Sequence, residues 1–97
     1  MDRLISGRIT ELEIKHSNMP PYIQRAMILV ALEVAEADMP KEWIAETLAN
    51  RIESTFGGTW VCLVRTNSDT YIAHGDGYYF SFVMNGILFD IYELYVH

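Results

Sequence analysis

Residues 78–95 read Tyr-Tyr-Phe-Ser-Phe-Val-Met-Asn-Gly-Ile-Leu-Phe-Asp-Ile-Tyr-Glu-Leu-Tyr, two β-rich runs joined by Asn85-Gly86. The linker decides the pairing. Asn and Gly tolerate positive φ, which a two-residue type I′ turn requires, and the twist of that turn matches an antiparallel hairpin. Strands are therefore expected at Tyr78 to Met84 and at Ile87 to Tyr95. In the first, Phe80, Phe82 and Met84 alternate with Tyr79, Ser81 and Val83, so the two sets face opposite sides of a sheet. The phenylalanine set is expected to meet a helical layer. The other set is too apolar to be simply solvated, and a second copy or a ligand is expected to cover it.

Working outward toward the N-terminus, Thr59 to Val64 and Thr70 to His74 are two further β-rich runs. Asn67-Ser68-Asp69 and Gly75-Asp76-Gly77 are loops between runs. Before them, Gly57-Gly58 ends a helical pattern in which Ile44, Leu48, Ile52 and Phe56 recur at i+4 steps. Asp38 is placed to cap that helix, with Pro40 in its first turn and Glu42 beside the positive end of the dipole. An earlier helix runs from Asn18, its expected cap, through Pro20-Pro21 to about Asp38. Ile23, Met27, Val30 and Val34 form its stripe, and Ala26, Leu29 and Ala31 widen the apolar face. Glu11 to His16 alternates as a half-buried strand does. The order is strand, two helices, four strands, an α+β layout with two helices packed on an antiparallel sheet. Residues 1–10 read as a tail or linker, and 11–97 as the domain.

Length and charge narrow the function classes. Ninety-seven residues with 51% hydrophobic composition make one domain, and a chain this short has a thin stability margin unless something assists it. One cysteine, Cys62, forms no internal disulfide, and with three scattered histidines it is too little for a structural zinc site. Association is the remaining help. The net charge is -6, and the seven basic residues form no run, so nucleic acid and anionic membranes are poor partners. The longest strongly apolar stretch, Ala26 to Leu32, is too short to span a bilayer, and a cytoplasmic location is expected.

The supply of chemistry is thin. His16, His74 and His97 share no metal-ligating or catalytic spacing, and Cys62 sits in an apolar strand as a small hydrophobe. Glu33, Glu36, Asp38, Glu42 and Glu46 lack the loop that converges oxygens on calcium, so a solvated helix face explains them. Trp60, at the head of a strand, reads as core. No enzyme, cofactor or metal is expected. The run Thr70 to His74 is short and flanked by loops, so it is the most readily detached. Its edge offers N–H and C=O groups to another copy or to an extended peptide.

Asn18-Met19, the span from Pro40 to Phe56, Thr59-Trp60-Val61-Cys62-Leu63-Val64, Thr70-Tyr71-Ile72-Ala73-His74 and Tyr79-Phe80 together resemble the eight-kilodalton dynein light chain family. The resemblance runs from about Ile14 to Tyr92. It implies a non-catalytic, strand-exchanged homodimer in which the strand holding Thr70 to His74 crosses to the partner's sheet. The outer edge of that strand then accepts a disordered linear motif, such as one in the dynein intermediate chain, by β-augmentation. A cytoplasmic, cytoskeleton-associated role as a dynein subunit or dimerisation hub follows from the same resemblance.

Carried over position by position, the peptide groove would comprise Asn67, Ser68, Asp69, Thr70, Tyr71, Ile72, Ala73 and His74, with Tyr79, Ser81 and, from the helix corner, Glu42. The dimer interface would include Val61, Thr70, Tyr71, Ile72 and Tyr79. Several positions depart from the family. Ser68-Asp69 replaces Phe-Gly, Ala73 a threonine, and Ser81 and Val83 two groove tyrosines. Lys41-Glu42 stands where the family has Glu-Lys, so the ligand should be more basic than the family's usual one. Val61 replaces an interface histidine and Leu94 a phosphorylatable serine, so neither acid nor phosphorylation is expected to split the dimer. The layout is also similar to the dynein-light-chain-like domains that some parasitic-worm tegumental proteins join to calcium-binding EF-hands. On that alternative, this is a dimerisation domain of a larger protein with weakened or altered peptide binding.

Overall fold

The Asn85-Gly86 turn forms with φ of 52° and 81°, and Met84 pairs with Ile87 across it. This hairpin is the centre of the fold. The structure is a computed structural model that describes residues 9–66 and 77–94. Its elements are β1 (Leu12–Ser17), α1 (Pro21–Ala35), α2 (Lys41–Phe56), β2 (Thr59–Thr66), β3 (Tyr79–Met84) and β4 (Ile87–Leu94). The sheet order is β1-β3-β4-β2, antiparallel throughout. The expected run at Thr70 to His74 lies outside the described residues, as does Tyr95.

The alternation in β3 sorts as expected on the helix side. Phe80, Phe82 and Met84 are buried in one cluster with Met27, Leu32, Leu48 and Ile52 from the two helices. Phe82 stacks on Phe89 of β4 at 5.1 Å, and Phe80 lies 4.6 Å from Phe82 between ring centroids. Trp60 is core, with its indole N–H donated to the Gly57 carbonyl at 2.8 Å. That bond satisfies the ring's polar edge inside an apolar site. In α1 the buried side is wider than the expected stripe, because Ile28, Ala31 and Leu32 join Met27 and Val34. The stripe of α2 holds at Ile44, Leu48 and Ile52 and fails at Phe56, which is 38% exposed in the last turn.

Both expected caps are corrected by the structure. Neither helix has a side-chain cap, and the cap positions fall to Pro20 and Pro40. Asn18 is engaged elsewhere. Its carboxamide oxygen accepts the Tyr79 N–H at 2.8 Å, and its Nδ2 donates to the Gly77 carbonyl at 3.2 Å. An Asx side chain next to a strand end can serve an unpaired ladder group instead of a helix terminus. The entry to α1 is held by Ser17, whose hydroxyl accepts the Met19 N–H and a Gln24 side-chain N–H, each at 3.0 Å. Asp38 adopts φ 55° between the helices and caps nothing.

The first described residues are already docked. Ile9 packs against the core, and the Asn85 side-chain oxygen accepts the N–H groups of Thr10 and Glu11 at 2.8 and 3.1 Å. The Glu11 carboxylate accepts the Gly86 N–H at 2.8 Å in return. The entry to β1 and the β3–β4 turn therefore fix each other.

Candidate functional site

The face of the sheet turned away from the helices follows from the register. Since Trp60, Cys62, Phe80, Phe82, Phe89 and Ile91 belong to the core, their neighbours Val61, Leu63, Arg65, Tyr79, Ser81, Val83, Leu88, Asp90 and Tyr92 lie on the far side. Tyr79, Tyr92 and Val61 form one row across β3, β4 and β2. The next row is Ser81, Asp90 and Leu63, and the third Val83, Leu88 and Arg65. Val83 and Leu88 are only 3% and 2% exposed although they stand outside the helix-side cluster.

One carboxylate interrupts this apolar face. Asp90 is 6% exposed, and its two oxygens are held by different strands: Ser81 donates its hydroxyl at 2.6 Å from β3, and the Arg65 guanidinium donates at 2.6 Å from β2. Ser81 is directly opposite Asp90 in the ladder, whereas Arg65 reaches it diagonally from its place opposite Leu88. A buried carboxylate is tolerated only when paired and hydrogen-bonded, and here it is both. The side chain of Arg65 is 32% exposed, so water still reaches one end of the pair.

The expected site residues divide into three groups. Tyr79 and Ser81 are half-buried on the far face, in adjacent rows, and Val61 shares the row of Tyr79. Glu42 is exposed in the first turn of α2, in the helical layer. Asn67, Ser68, Asp69, Thr70, Tyr71, Ile72, Ala73 and His74 lie outside the described residues. Sequence reasoning missed Asp90 and Arg65. An acid inside the run Leu-Phe-Asp-Ile is a signal that could have found them, because a charge in a β-rich apolar run requires a partner within reach.

Catalytic chemistry has little to work with among the described residues. Cys62 is buried, and desolvation with the nearby Glu53 carboxylate pushes its thiol up to about 12, so it is a poor nucleophile at neutral pH. No group of three or more His, Cys, Asp or Glu side chains among the described residues converges to hold a metal ion. No helix among them is long and apolar enough to cross a membrane.

The backbone supplies the other feature. β1 and β2 are the outer strands of the described sheet. β1 carries a bulge between Ile14 and His16, a device that blunts edge pairing. β2 is regular over all eight residues from Thr59 to Thr66. Among the described residues, then, two helices cover one face of an antiparallel sheet whose far face is largely apolar and whose outer strand β2 is regular.

The chain belongs to the dynein light chain type 1 family, whose profile matches residues 11–93, a family of non-catalytic interaction modules. The dynein light chain-like domain of the Fasciola hepatica calcium-binding protein FhCaBP2 is similar in structure at 16% identity and a TM-score of 0.77. That match covers 90% of this chain and 95% of that one. A second structure of the same domain gives a TM-score of 0.76 at 16% identity, with 88% and 92% covered. The dynein light chain-like domain of CsTAL3 gives 0.73 at 20% identity, covering 87% of this chain and 93% of that one. These are likenesses of fold. No curated protein sequence matches the chain.

Proposed function

We propose that this chain is a dimeric peptide-binding module, in which two copies associate through the far face of the sheet and bind linear motifs by β-augmentation along residues 67–74. The observation that carries the reading is β2, a regular outer strand that leads in sequence straight into residue 67. That continuity in sequence supports the reading, since a segment following an outer strand can pair with the edge of a second sheet. Residues 11–97 are the interaction domain and 1–10 a tail or linker whose last two residues, Ile9 and Thr10, dock on the domain. Thr70, Tyr71 and Ile72 join Val61 and Tyr79 at the dimer interface. Tyr79, Ser81 and Glu42 border the groove. The cellular setting is the cytoplasm and cytoskeleton, with the dynein intermediate chain or other disordered motifs as ligands.

A second reading has one specific observation in its favour. The Ser81 hydroxyl, which stands where the family has a groove tyrosine, is spent on Asp90. A groove altered in this way suits a dimerisation domain of a larger EF-hand protein whose peptide binding is weakened. Calorimetry with a panel of linear motifs separates the two. Saturable binding of one peptide per protomer is expected on the first reading, and a folded dimer that binds no motif leaves only the second.

A further inference from the structure

The turn at the centre of the fold carries a reactive dipeptide that the proposed function does not use. In an Asn-Gly pair the glycine nitrogen readily attacks the preceding side-chain amide, because no Cβ crowds the nucleophile. Asn85 and Gly86 are both exposed, so water reaches them. Their conformation is wrong for the reaction. Attack joins the Gly86 nitrogen to Cγ of Asn85 in a five-membered imide. That ring holds the nitrogen and Cβ nearly eclipsed about the Cα–C bond, at ψ of about −120°, as at the first central position of a type II′ turn. Here φ is 52° at Asn85 and 81° at Gly86, and two positive values belong to type I′, where the first ψ is about +30°. The peptide between the two residues must turn over before the ring can close.

The chain's own entry to β1 opposes that rotation. The Gly86 N–H, on the attacking atom, is donated to the Glu11 carboxylate at 2.8 Å. The Asn85 side-chain oxygen accepts from the Thr10 N–H at 2.8 Å, the Thr10 hydroxyl at 3.0 Å and the Glu11 N–H at 3.1 Å. The Asn85 N–H in turn donates to the Glu11 carbonyl at 3.0 Å. Turning the peptide over breaks the first bond, and swinging Cγ toward Gly86 breaks those to its oxygen. We propose that Asn85 is a deamidation site held latent by Thr10 and Glu11 and released when the entry to β1 detaches. In the reaction the Gly86 nitrogen loses its proton to hydroxide and its electron pair forms the bond to Cγ. The Cγ–Nδ2 bond breaks, and ammonia leaves with a proton from water. Water then opens the imide at Cγ, leaving aspartate, or at the main-chain carbonyl carbon, leaving isoaspartate. The second product runs the backbone through Cβ and Cγ, one atom longer, in a turn that closes Met84 on Ile87 across two residues. The pairing that sets Phe82 opposite Phe89 is disturbed from the same end.

The test follows ammonia loss by intact mass and isoaspartate by peptide mapping in the 97-residue chain at neutral pH, beside a peptide spanning Phe82 to Phe89. The folded chain is expected to react at least about tenfold more slowly than the peptide, and Glu11→Ala about tenfold faster than wild type. Glu11→Gln keeps an acceptor oxygen for Gly86 and should fall between them. A folded chain as fast as the peptide overturns the proposal. So does slower reaction in both Glu11 variants, which would make Glu11 the base that takes the Gly86 proton. Asn18→Ala separates local release from general unfolding, because it loosens the Tyr79 end of β3 and leaves the turn untouched. Acceleration there equal to that of Glu11→Ala would also remove the local restraint. Should Glu11→Ala not fold, Glu11→Gln at the wild-type rate or slower decides against the proposal.

Discussion

The two faces of this sheet are built from the same strands by opposite means. On the helix side, Phe80, Phe82, Phe89 and Ile91 are at most 1% exposed and belong to one apolar cluster, so stability there comes from packing. Across the backbone, Asp90 is almost as deeply buried, yet it is held by two directional bonds to Ser81 and Arg65. The helix side loses stability in proportion to the atoms removed. The far side depends on which partner is left behind.

Phe82→Ala sets the upper end of this contrast. It deletes a fully buried ring between Phe80 and Phe89, and about 3–5 kcal/mol should be lost in urea unfolding. Asp90→Ala should cost less, about 2 kcal/mol. Breaking a fully buried pair costs about 3–5 kcal/mol, but the third-exposed Arg65 side chain can recover water. The sharper comparison is the triple change Arg65→Leu, Asp90→Leu, Ser81→Ala. It removes the whole network, so no charge is stranded, and it is expected to fold with stability within about 1 kcal/mol of wild type. A triple variant as damaged as Phe82→Ala would show that the far face, too, is held by shape.

Cys62 tests the helix side by pH. Its thiol is pushed up to about 12 from an ordinary 9.0, first by burial and then by Glu53. The folded form therefore keeps its proton where the unfolded chain releases it. This contribution is intact below pH 9 and lost as pH rises toward 12, at about 1.4 kcal/mol per pH unit. Cys62→Ala removes the titrating group, so its stability should fall less steeply over that window than the wild type's. Equal slopes for the two proteins would refute the assignment of the slope to this thiol.

The contrast also explains which parts were legible in the sequence. Periodicity reports apolar burial, so the hairpin, the alternation of Phe80, Phe82 and Met84, and the stripe through Ile44, Leu48 and Ile52 could be read directly. The departure of Phe56 from its stripe arises because the helix ends at Gly57, beyond the layer it packs on. Directional bonds leave no periodic trace. Asn18 and Asp38 have the residue type and spacing of caps, but prolines already occupy the cap positions, and Asn18 has a better use at a strand end. The acid at position 90 signals that a partner is needed, but the sequence does not say which. Its partners are nine and twenty-five residues away, and only the register brings them together.

Asn18 supplies the smallest test, at the sheet margin where neither face dominates. Its side chain bonds the Tyr79 N–H and the Gly77 carbonyl, and the backbone N–H of Asn18 donates to Tyr79 at 3.3 Å. Gly77 passes close to Glu93, where a Cβ would stand 2.8 Å from the Glu93 carbonyl oxygen. If Asn18 were a helix cap, Asn18→Asp would be neutral or better, because an anion near a helix N-terminus is favourable. As a clamp it needs both an acceptor and a donor, and aspartate loses the bond to Gly77. Asn18→Asp and Asn18→Ala should therefore both destabilise, by about 1 kcal/mol. Amide exchange at Tyr79 should quicken in Asn18→Ala, while exchange at Ile23 and Gln24 in the first turn of α1 stays unchanged. Faster exchange confined to the helix would restore the cap and take the clamp away.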